Sequence, residues 1–365
     1  MMDKVRISAM QMAILLYATI MATAVLIAPS VIGKFAKQDM WISPVWGAIT
    51  GFLTVFIAYR LNKAYPEQTI IQYSEKIVGR IPGKLIGFLF LVYYLHLNAI
   101  SLREYGEFVK GNFLIETPMV ILLGTMAFVC VFAVRGGIEA MARSAQIFVP
   151  LVIVLFLFIA IMLIPDLKPK NMLPVMENGP GPSIMGGFIS SSWFMQFFLI
   201  AFLLPSLGKG EKGLKWGSLS VIAVMVTLAI SNLFSLLLLG DITSTFVYPV
   251  MSAVRFISIA EFLQHLESIV MAIWVAGTFV KIAVFHYVLV IGTAQWLNLS
   301  DYKQLVYPLG FLLVIVAIWS APNLQKVAHV LATTWPFYDI LVHVLIPVLL
   351  LFVAMIRKKA TKGSN

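Results

Sequence analysis

Apolar stretches long enough to cross a lipid bilayer follow one another along almost the whole chain, and this pattern restricts the possible folds most strongly. Of the 365 residues, 61% are hydrophobic and only 12% are charged. A soluble domain of this composition could not present a polar surface to water. An α-helix needs about 20 apolar residues to cross about 30 Å of hydrocarbon. The sequence therefore predicts an all-α integral membrane protein.

Ten such stretches can be distinguished, and the connections between them are short. They cover residues 9–32, 41–59, 85–107, 118–134, 144–164, 183–207, 216–240, 266–297, 304–321 and 336–356. The third and the eighth contain charged residues. No connection has room for a separate soluble domain, so we expect a single membrane domain over residues 1–365.

Basic residues are concentrated in alternate connections, which sets the expected orientation. They cluster before the first span, at residues 209–215 after the sixth span and at residues 357–359 after the last. Basic segments stay on the cytoplasmic side of a membrane. We therefore predict that both termini are cytoplasmic. The same distribution explains the net charge of +10 without nucleic acid as a partner.

The first and sixth spans end alike and carry similar signs of interruption. Ile-Ala-Pro-Ser closes one at residues 27–30, and Leu-Leu-Pro-Ser closes the other at residues 203–206. Small residues lie upstream, at 22–24 and at 190–192. Paired interrupted helices in corresponding positions are typical of transporters built from two inverted halves. We predict a 5+5 inverted repeat, approximately residues 9–164 and 183–357, with helices 1 and 6 broken.

Each predicted half also contains an amphipathic segment between its second and third spans. These segments cover residues 66–80 and residues 248–263. Apolar positions such as Ile70, Ile71 and Ile77 in one, and Phe256 in the other, alternate with charges. Such a pattern is expected of a helix that lies in the membrane interface.

The interrupted spans supply the first candidate ligand-binding residues. Unwound backbone at a helix break needs polar partners, and a zwitterionic small molecule can provide them. The candidates are Ala22, Thr23 and Ala24 in the first span and Ser191, Ser192 and Trp193 in the sixth. The alternative is that these small residues only permit close helix packing.

The third span carries further polar candidates. Tyr93 lies nearest its centre and is expected to contact ligand or act as a gate, and Asn98 follows one turn later. Glu104 and Glu107 are candidates for coupling or proton-responsive roles. Glu107 is also spaced to pair with Arg103 on the same helix. The alternative for that pair is a position near the outer boundary, where the charges reach the interface.

The eighth span contains Lys281, a charge about 15 residues inside an apolar stretch. A lysine at this depth is costly and is by default a functional hypothesis. Trp274 lies on the same helical stripe and is a further candidate for ligand contact. Lys281 could respond to protons, could permanently replace a bound cation, or could hold carbonyls of a broken helix. His286 and His343 are expected to be hydrogen-bonded packing residues.

No catalytic arrangement is recognisable. The chain has no phosphate-binding glycine loop, no Cys/His set with metal-ligand spacing and no nucleophile motif. Its one cysteine, Cys130, lies in an apolar stretch and is expected to be a buried thiol. We therefore expect neither an enzyme nor a cofactor or metal site.

Four segments resemble the B subunits of GerA-type spore germinant receptors, the spore germination permease family of the amino acid/polyamine/organocation (APC) superfamily. They are the first span up to Pro29, residues 103–118 with the Glu-Thr-Pro ending, the Asn-Met-Leu-Pro-Val segment at 171–175 followed by Gly179, and the Glu267, Trp274 and Lys281 pattern. The resemblance extends over essentially the whole chain. It implies a fold of the LeuT and APC type.

The resemblance also implies a function. Such subunits lie in the inner membrane of the endospore and sense a small germinant, typically an amino acid and sometimes a nucleoside or sugar. They act with an A subunit and a lipoprotein C subunit, and their ligand pocket lies among spans one, three, six and eight. This chain has alanines at residues 22 and 24, where some relatives have glycines.

Two other functions remain open at this point. The chain could be a proton-coupled amino acid transporter in which Lys281 changes its protonation state. It could also be a scaffold for another subunit that binds the germinant.

Overall fold

The computed structural model describes residues 6–255, 267–321 and 323–362, and these residues are almost entirely helical. Their α-helices are α1 (Ala9–Ala36), α2 (Ser43–Ala64), α3 (Ile70–Val78), α4 (Arg80–Asn112), α5 (Met119–Arg135), α6 (Gly137–Leu163), α7 (Gly181–Met195), α8 (Ile200–Leu203), α9 (Gly213–Leu239), α10 (Pro249–Arg255), α11 (Glu267–Trp296), α12 (Val306–Ser320), α13 (Leu324–Thr333), α14 (Trp335–Asp339) and α15 (Ile346–Lys362).

Nine helical segments of the described chain are long and apolar enough to cross a membrane. They correspond to nine of the ten predicted spans. At the place of the fourth lies α5, an apolar helix of 17 residues. The prediction of a multi-pass, all-α membrane protein is confirmed, while the count of ten spans and the inverted repeat stay predictions.

The first helix differs from its prediction, because α1 is continuous. It begins at a capping box, in which Ser8 and Gln11 exchange side-chain to backbone hydrogen bonds, and it remains helical through residues 22–24 and past Pro29. A side chain on Gly277 of α11 would lie 3.5 Å from Ala22. The small residues of α1 therefore allow close helix packing, and the predicted break at this point is wrong.

The sixth span is interrupted, but after its serines. A 3-10 turn at Gln196–Leu199 follows α7, and another at Leu204–Ser206 follows the short helix α8. Ser190 and Ser191 donate hydrogen bonds to the carbonyls of Gly187 and Phe188 in their own helix. The helix continues through these serines and changes to a 3-10 turn only at Gln196.

Glycines bring α2 and α7 into backbone contact. A side chain on Gly187 would come within 2.5 Å of the Trp46 Cβ, and one on Gly47 within 2.2 Å of the Ser190 hydroxyl. Ser43 also donates a hydrogen bond of 3.0 Å to the Ser183 carbonyl across this contact. The position of α7, and of the polar side chains along it, is therefore fixed by α2.

The first predicted amphipathic segment forms α3, whose apolar residues Ile70, Ile71 and Ile77 are buried. In the second segment, α10 ends at Arg255, and Phe256 and the other residues up to 263 lie outside the described part of the chain.

The last span has an irregular start. The short helix α14 continues into a π-helix at Ile340–Leu345 before α15 begins. π-Helical turns are rare and are often found at functional sites. Here Trp335, Asp339 and His343 are all buried, with exposures of 1%, 0% and 0%.

Candidate functional site

Five residues proposed from the sequence lie around one small cavity in the interior of the helix bundle. They are Thr23 of α1, Glu104 of α4, Ser192 and Trp193 of α7, and Lys281 of α11, joined by Leu97, Ile100, Ser101, Gln196, Leu331 and Trp335. The centre of a water molecule can occupy about 10 Å³ of this cavity. That is room for about one water molecule, so the cavity is closed to a molecule as large as an amino acid.

The Lys281 ammonium crosses from α11 to the other helices of the cavity. It donates a hydrogen bond of 2.7 Å to the Thr23 hydroxyl and one of 3.4 Å to the Gln196 side-chain oxygen. It also lies 5.4 Å from the centre of the Phe285 ring. With only 1% of the residue exposed, the charge is held by these neighbours in place of water. Lys281 thus connects α1, the break of the sixth span and α11.

Thr23 accepts a second hydrogen bond, from the Trp193 indole nitrogen at 3.3 Å. One hydroxyl oxygen therefore serves two donors that come from different helices. Thr23 therefore joins α7 and α11 to α1 at the cavity.

We expect Thr23→Val to lower the free energy of unfolding by about 1–3 kcal/mol, because two buried donors lose their acceptor. The matched control is Thr19→Val, one turn earlier on α1. Among the described residues the buried Thr19 hydroxyl bonds only to the Leu15 carbonyl of its own helix, so its loss should cost less. Thermal unfolding in detergent compares the two variants, and equal destabilisation would contradict this account.

Glu104 supplies the opposite charge. The residue is 3% exposed and lines the cavity. No residue in the described part of the chain makes a hydrogen bond or an ion pair with it, although Lys281 acts on it electrostatically. An ammonium and a free carboxylate therefore share one closed space, and charges in such an environment interact strongly.

Glu107 does not take part in this arrangement. Its carboxylate binds the Arg103 guanidinium at 2.6 Å, as the spacing on the helix predicts. The pair is mostly buried, at 9% and 18% side-chain exposure, and lies on the same helix as the cavity residue Glu104. It neutralises itself, so Glu104 remains the free acid.

The other residues proposed from the sequence lie outside the cavity wall. The Asn98 amide donates to the Ile282 carbonyl at 3.3 Å, and Ser191 bonds within α7. Trp274 packs on Phe108 with 5.2 Å between ring centres. Ala22 and Ala24 are buried in helix contacts, and Tyr93 is buried against the last span. Their proposed contact with ligand stays a prediction.

The structure adds residues that the sequence interpretation missed. Gln196 holds Lys281, Trp335 lines the cavity, and Asp339 accepts a hydrogen bond from Tyr93. The available signal for Asp339 was a single acidic residue inside an otherwise apolar span, followed four residues later by His343.

The two histidines assigned to packing behave differently. His286 hydrogen-bonds the Val306 carbonyl at 3.0 Å, as expected. For His343 the expectation of a hydrogen bond is wrong within the described residues, because neither ring nitrogen has a hydrogen-bond partner. The nearest acid, Asp339, is 3.7 Å from Nδ1, which is beyond hydrogen-bond distance.

This multi-pass helix bundle, with a small charged cavity between its first, third, sixth and eighth spans, has a fold that is found in solved transporters. A Na⁺-coupled sialic acid symporter in a substrate-bound, outward-open state superposes with a TM-score of 0.64 at 12% identity, covering 93% of this chain and 79% of the symporter. MhsT in complex with L-phenylalanine superposes with a TM-score of 0.62 at 14% identity, covering 94% and 98%. The fold is that of the LeuT-type transporters.

Within this class, the chain belongs to the spore germination protein (spore permease) family, whose model matches residues 6–325. It is 27% identical to spore germination protein KB of Bacillus subtilis (strain 168), covering 100% of this chain and 98% of that protein. It is 27% identical to the putative spore germination protein YfkT of the same organism, covering 93% and 92%. Spore germination protein XB of Bacillus anthracis is 22% identical, covering 85% and 84%. The chain is therefore a multi-pass membrane protein of the spore permease family.

Proposed function

We propose that this protein is the germinant-sensing subunit of a spore germination receptor and that it binds a small molecule, most simply an amino acid, in the cavity between Lys281 and Glu104. One observation carries this proposal: a buried ammonium and a buried free carboxylate line the same closed space. The two charges match the carboxylate and the ammonium of a zwitterion. The apolar wall, with Leu97, Ile100 and Trp335, would receive its side chain.

The comparisons support this proposal at the level of the family and the fold. The relatives are spore germination proteins, and one structural neighbour was solved with L-phenylalanine bound. We extend the proposal to the setting that the family implies. The chain would act as one membrane domain of two inverted halves in the endospore inner membrane, with both termini cytoplasmic and with A and C subunits as partners. Neither catalysis nor a cofactor enters this function.

Sensing requires that ligand favours one of two conformations. Because the cavity has room for about one water molecule, an amino acid binds only when the surrounding helices separate. A ligand shifts such an equilibrium by its difference in affinity between the two states. The movement of α1, α7 and α11 about the Lys281 contacts would then be the signal passed to the partner subunits.

The test is direct binding of a panel of amino acids, nucleosides and sugars to the purified full chain, measured by thermal shift and confirmed with radiolabelled compound. For the compound that binds, Glu104→Gln is expected to weaken affinity about 10- to 100-fold, because a charged hydrogen bond is worth about 1.5–3 kcal/mol. Glu116→Gln serves as the control, since it makes the same chemical change at an exposed residue outside the cavity. Equal affinities of wild type and Glu104→Gln would place the site elsewhere. No binding by folded protein would favour the scaffold function.

A proton-coupled amino acid transporter is the second candidate, favoured by the transporter fold of the structural neighbours. Uptake of the same radiolabelled compound into proteoliposomes distinguishes the two functions. Accumulation that depends on a pH gradient indicates transport. Saturable binding without accumulation indicates a sensor.

A further inference from the structure

Next to the cavity lies a second buried polar group that the proposed ligand site does not use. It consists of Tyr93 of α4 and Asp339 and His343 of the last span, and we call it the Asp339 cluster. All three residues are fully buried, with an exposure of 0%. Tyr93 donates a hydrogen bond to Asp339 Oδ1, and the π-helix at Ile340–Leu345 places His343 beneath the same carboxylate.

The Asp339 cluster is incompletely hydrogen-bonded. In the described part of the chain, Asp339 Oδ2, the neighbouring Ser192 hydroxyl and both ring nitrogens of His343 have no partner in hydrogen-bond geometry, although the Ser192 hydroxyl is close enough to act on the carboxylate. Aromatic rings close the group off, since the His343 ring lies 4.6 Å from the Tyr93 ring and 5.9 Å from the rings of Tyr94 and Phe198. Buried acceptors without a donor are destabilising. A proton between an acid and an imidazole removes this deficit.

The charges around the cluster give an independent reason for such a proton. The groups that act on Asp339 are Lys281 from α11, Tyr93 from α4 and the Ser192 hydroxyl from α7. Tyr94 and Tyr338 are further phenols nearby, and His96 packs on Tyr338 and Trp335. Lys281 is the only ammonium among them. It faces two buried acids, Glu104 and Asp339.

One positive charge against two negative charges leaves the described core with an excess negative charge if both acids are ionised. An uncompensated charge in a low-dielectric interior is strongly unfavourable. The Arg103–Glu107 pair neutralises itself and does not correct the balance. A single added proton makes the core neutral.

We propose that Asp339 and His343 form a proton-binding site that holds one proton while the cavity is closed. The proton lies on Asp339 Oδ2 or on a His343 nitrogen. After a small side-chain movement, the group that carries the proton can donate a hydrogen bond to the other group. Asp339 also neighbours Ser192 and Lys281 of the cavity. In the proposed ligand site the carboxylate of an amino acid engages Lys281, the ammonium that acts on Asp339, so ligand binding and protonation are linked.

Infrared spectroscopy of the full chain in nanodiscs at neutral pH tests the proposal without any germinant, so its result is independent of the proposed function. A carbonyl band of a protonated carboxylic acid is expected in wild type, lost in Asp339→Asn and retained in Glu104→Gln. In parallel, NMR of ring-¹⁵N-labelled histidine reads the charge of the His343 ring, with His343→Gln identifying its signal among five histidines.

Either a protonated Asp339 or a positively charged His343 supports the proposal. An ionised Asp339 together with a neutral His343 overturns it. His286→Gln is the control, because His286 bonds the Val306 carbonyl and does not face the cluster. If Asp339→Asn does not fold, Asp339→Glu supplies the assignment. A carboxylic acid band that shifts in Asp339→Glu and is retained in Glu104→Gln belongs to residue 339, and a band that does not shift overturns a protonated Asp339.

Discussion

Lys281→Met is expected to abolish saturable ligand binding and to lower the free energy of unfolding by about 3–5 kcal/mol, the usual effect of removing one partner from a buried set of charges. The substitution retains much of the side-chain volume but removes the ammonium from which Thr23 and Gln196 accept hydrogen bonds. It also leaves Glu104 and Asp339 without their neighbouring ammonium. Thermal unfolding and radioligand binding measure the two effects separately.

Two further variants identify the cause. Lys303→Met makes the same chemical change at an exposed position and should leave both measurements unchanged. Adding Glu104→Gln to Lys281→Met should restore part of the lost stability, because the acid that became uncompensated is then neutral. If Lys281→Met is as stable as wild type and binds ligand equally well, the lysine neither stabilises the fold nor binds ligand.

Gly187→Ala is expected to lower the free energy of unfolding by about 2 kcal/mol or more, within the range for overpacked interiors. The new methyl group would lie 2.5 Å from the Trp46 Cβ and 3.3 Å from the Ser43 carbonyl oxygen. These atoms belong to or adjoin the backbone of α2, so a rotamer change cannot relieve the clash. The two helices must separate, which displaces Ser192 and Trp193 from the cavity.

Gly124→Ala on α5 is the matched control. A side chain at Gly124 meets nothing within 4 Å, and alanine is favoured over glycine in a helix by about 0.5–1 kcal/mol. The control should therefore be neutral or slightly stabilising. If both glycine variants melt at the same temperature, the close approach of α2 and α7 does not contribute to stability.

The sequence predicted the helices well because each depends mainly on local hydropathy. The positions of the spans agree with the structure to within a few residues at most ends, and α3 forms where an amphipathic segment was expected. The break in helix 1 was wrong because alanine favours a continuous helix. The small side chains here serve close packing, since Ala22 lies against Gly277, a residue distant in sequence that no local pattern connects to it.

The candidate site was predicted in part. Lys281 and Glu104 were recognisable as charges in apolar spans, and Thr23 as a polar residue in a stretch of small ones. Adjacent residues of a helix point about 100° from each other, so Ser191 and Ser192 face different neighbours. The sequence alone does not decide which of the two faces the cavity. Only the packing of α7 on α2 decides that Ser192 lines the cavity. The place of Asp339 beside the cavity could not be predicted, because it depends on how the last span packs against Tyr93.

The closed cavity also has a kinetic consequence. If ligand enters only after the helices separate, the observed association rate cannot rise without limit as ligand is added. It must level off at the rate at which the cavity opens. The apparent Kd equals the Kd of the open state divided by the fraction of molecules that are open. A short pulse of even concentrated ligand would then be missed by most molecules. Such a protein responds to the duration of exposure as well as to concentration.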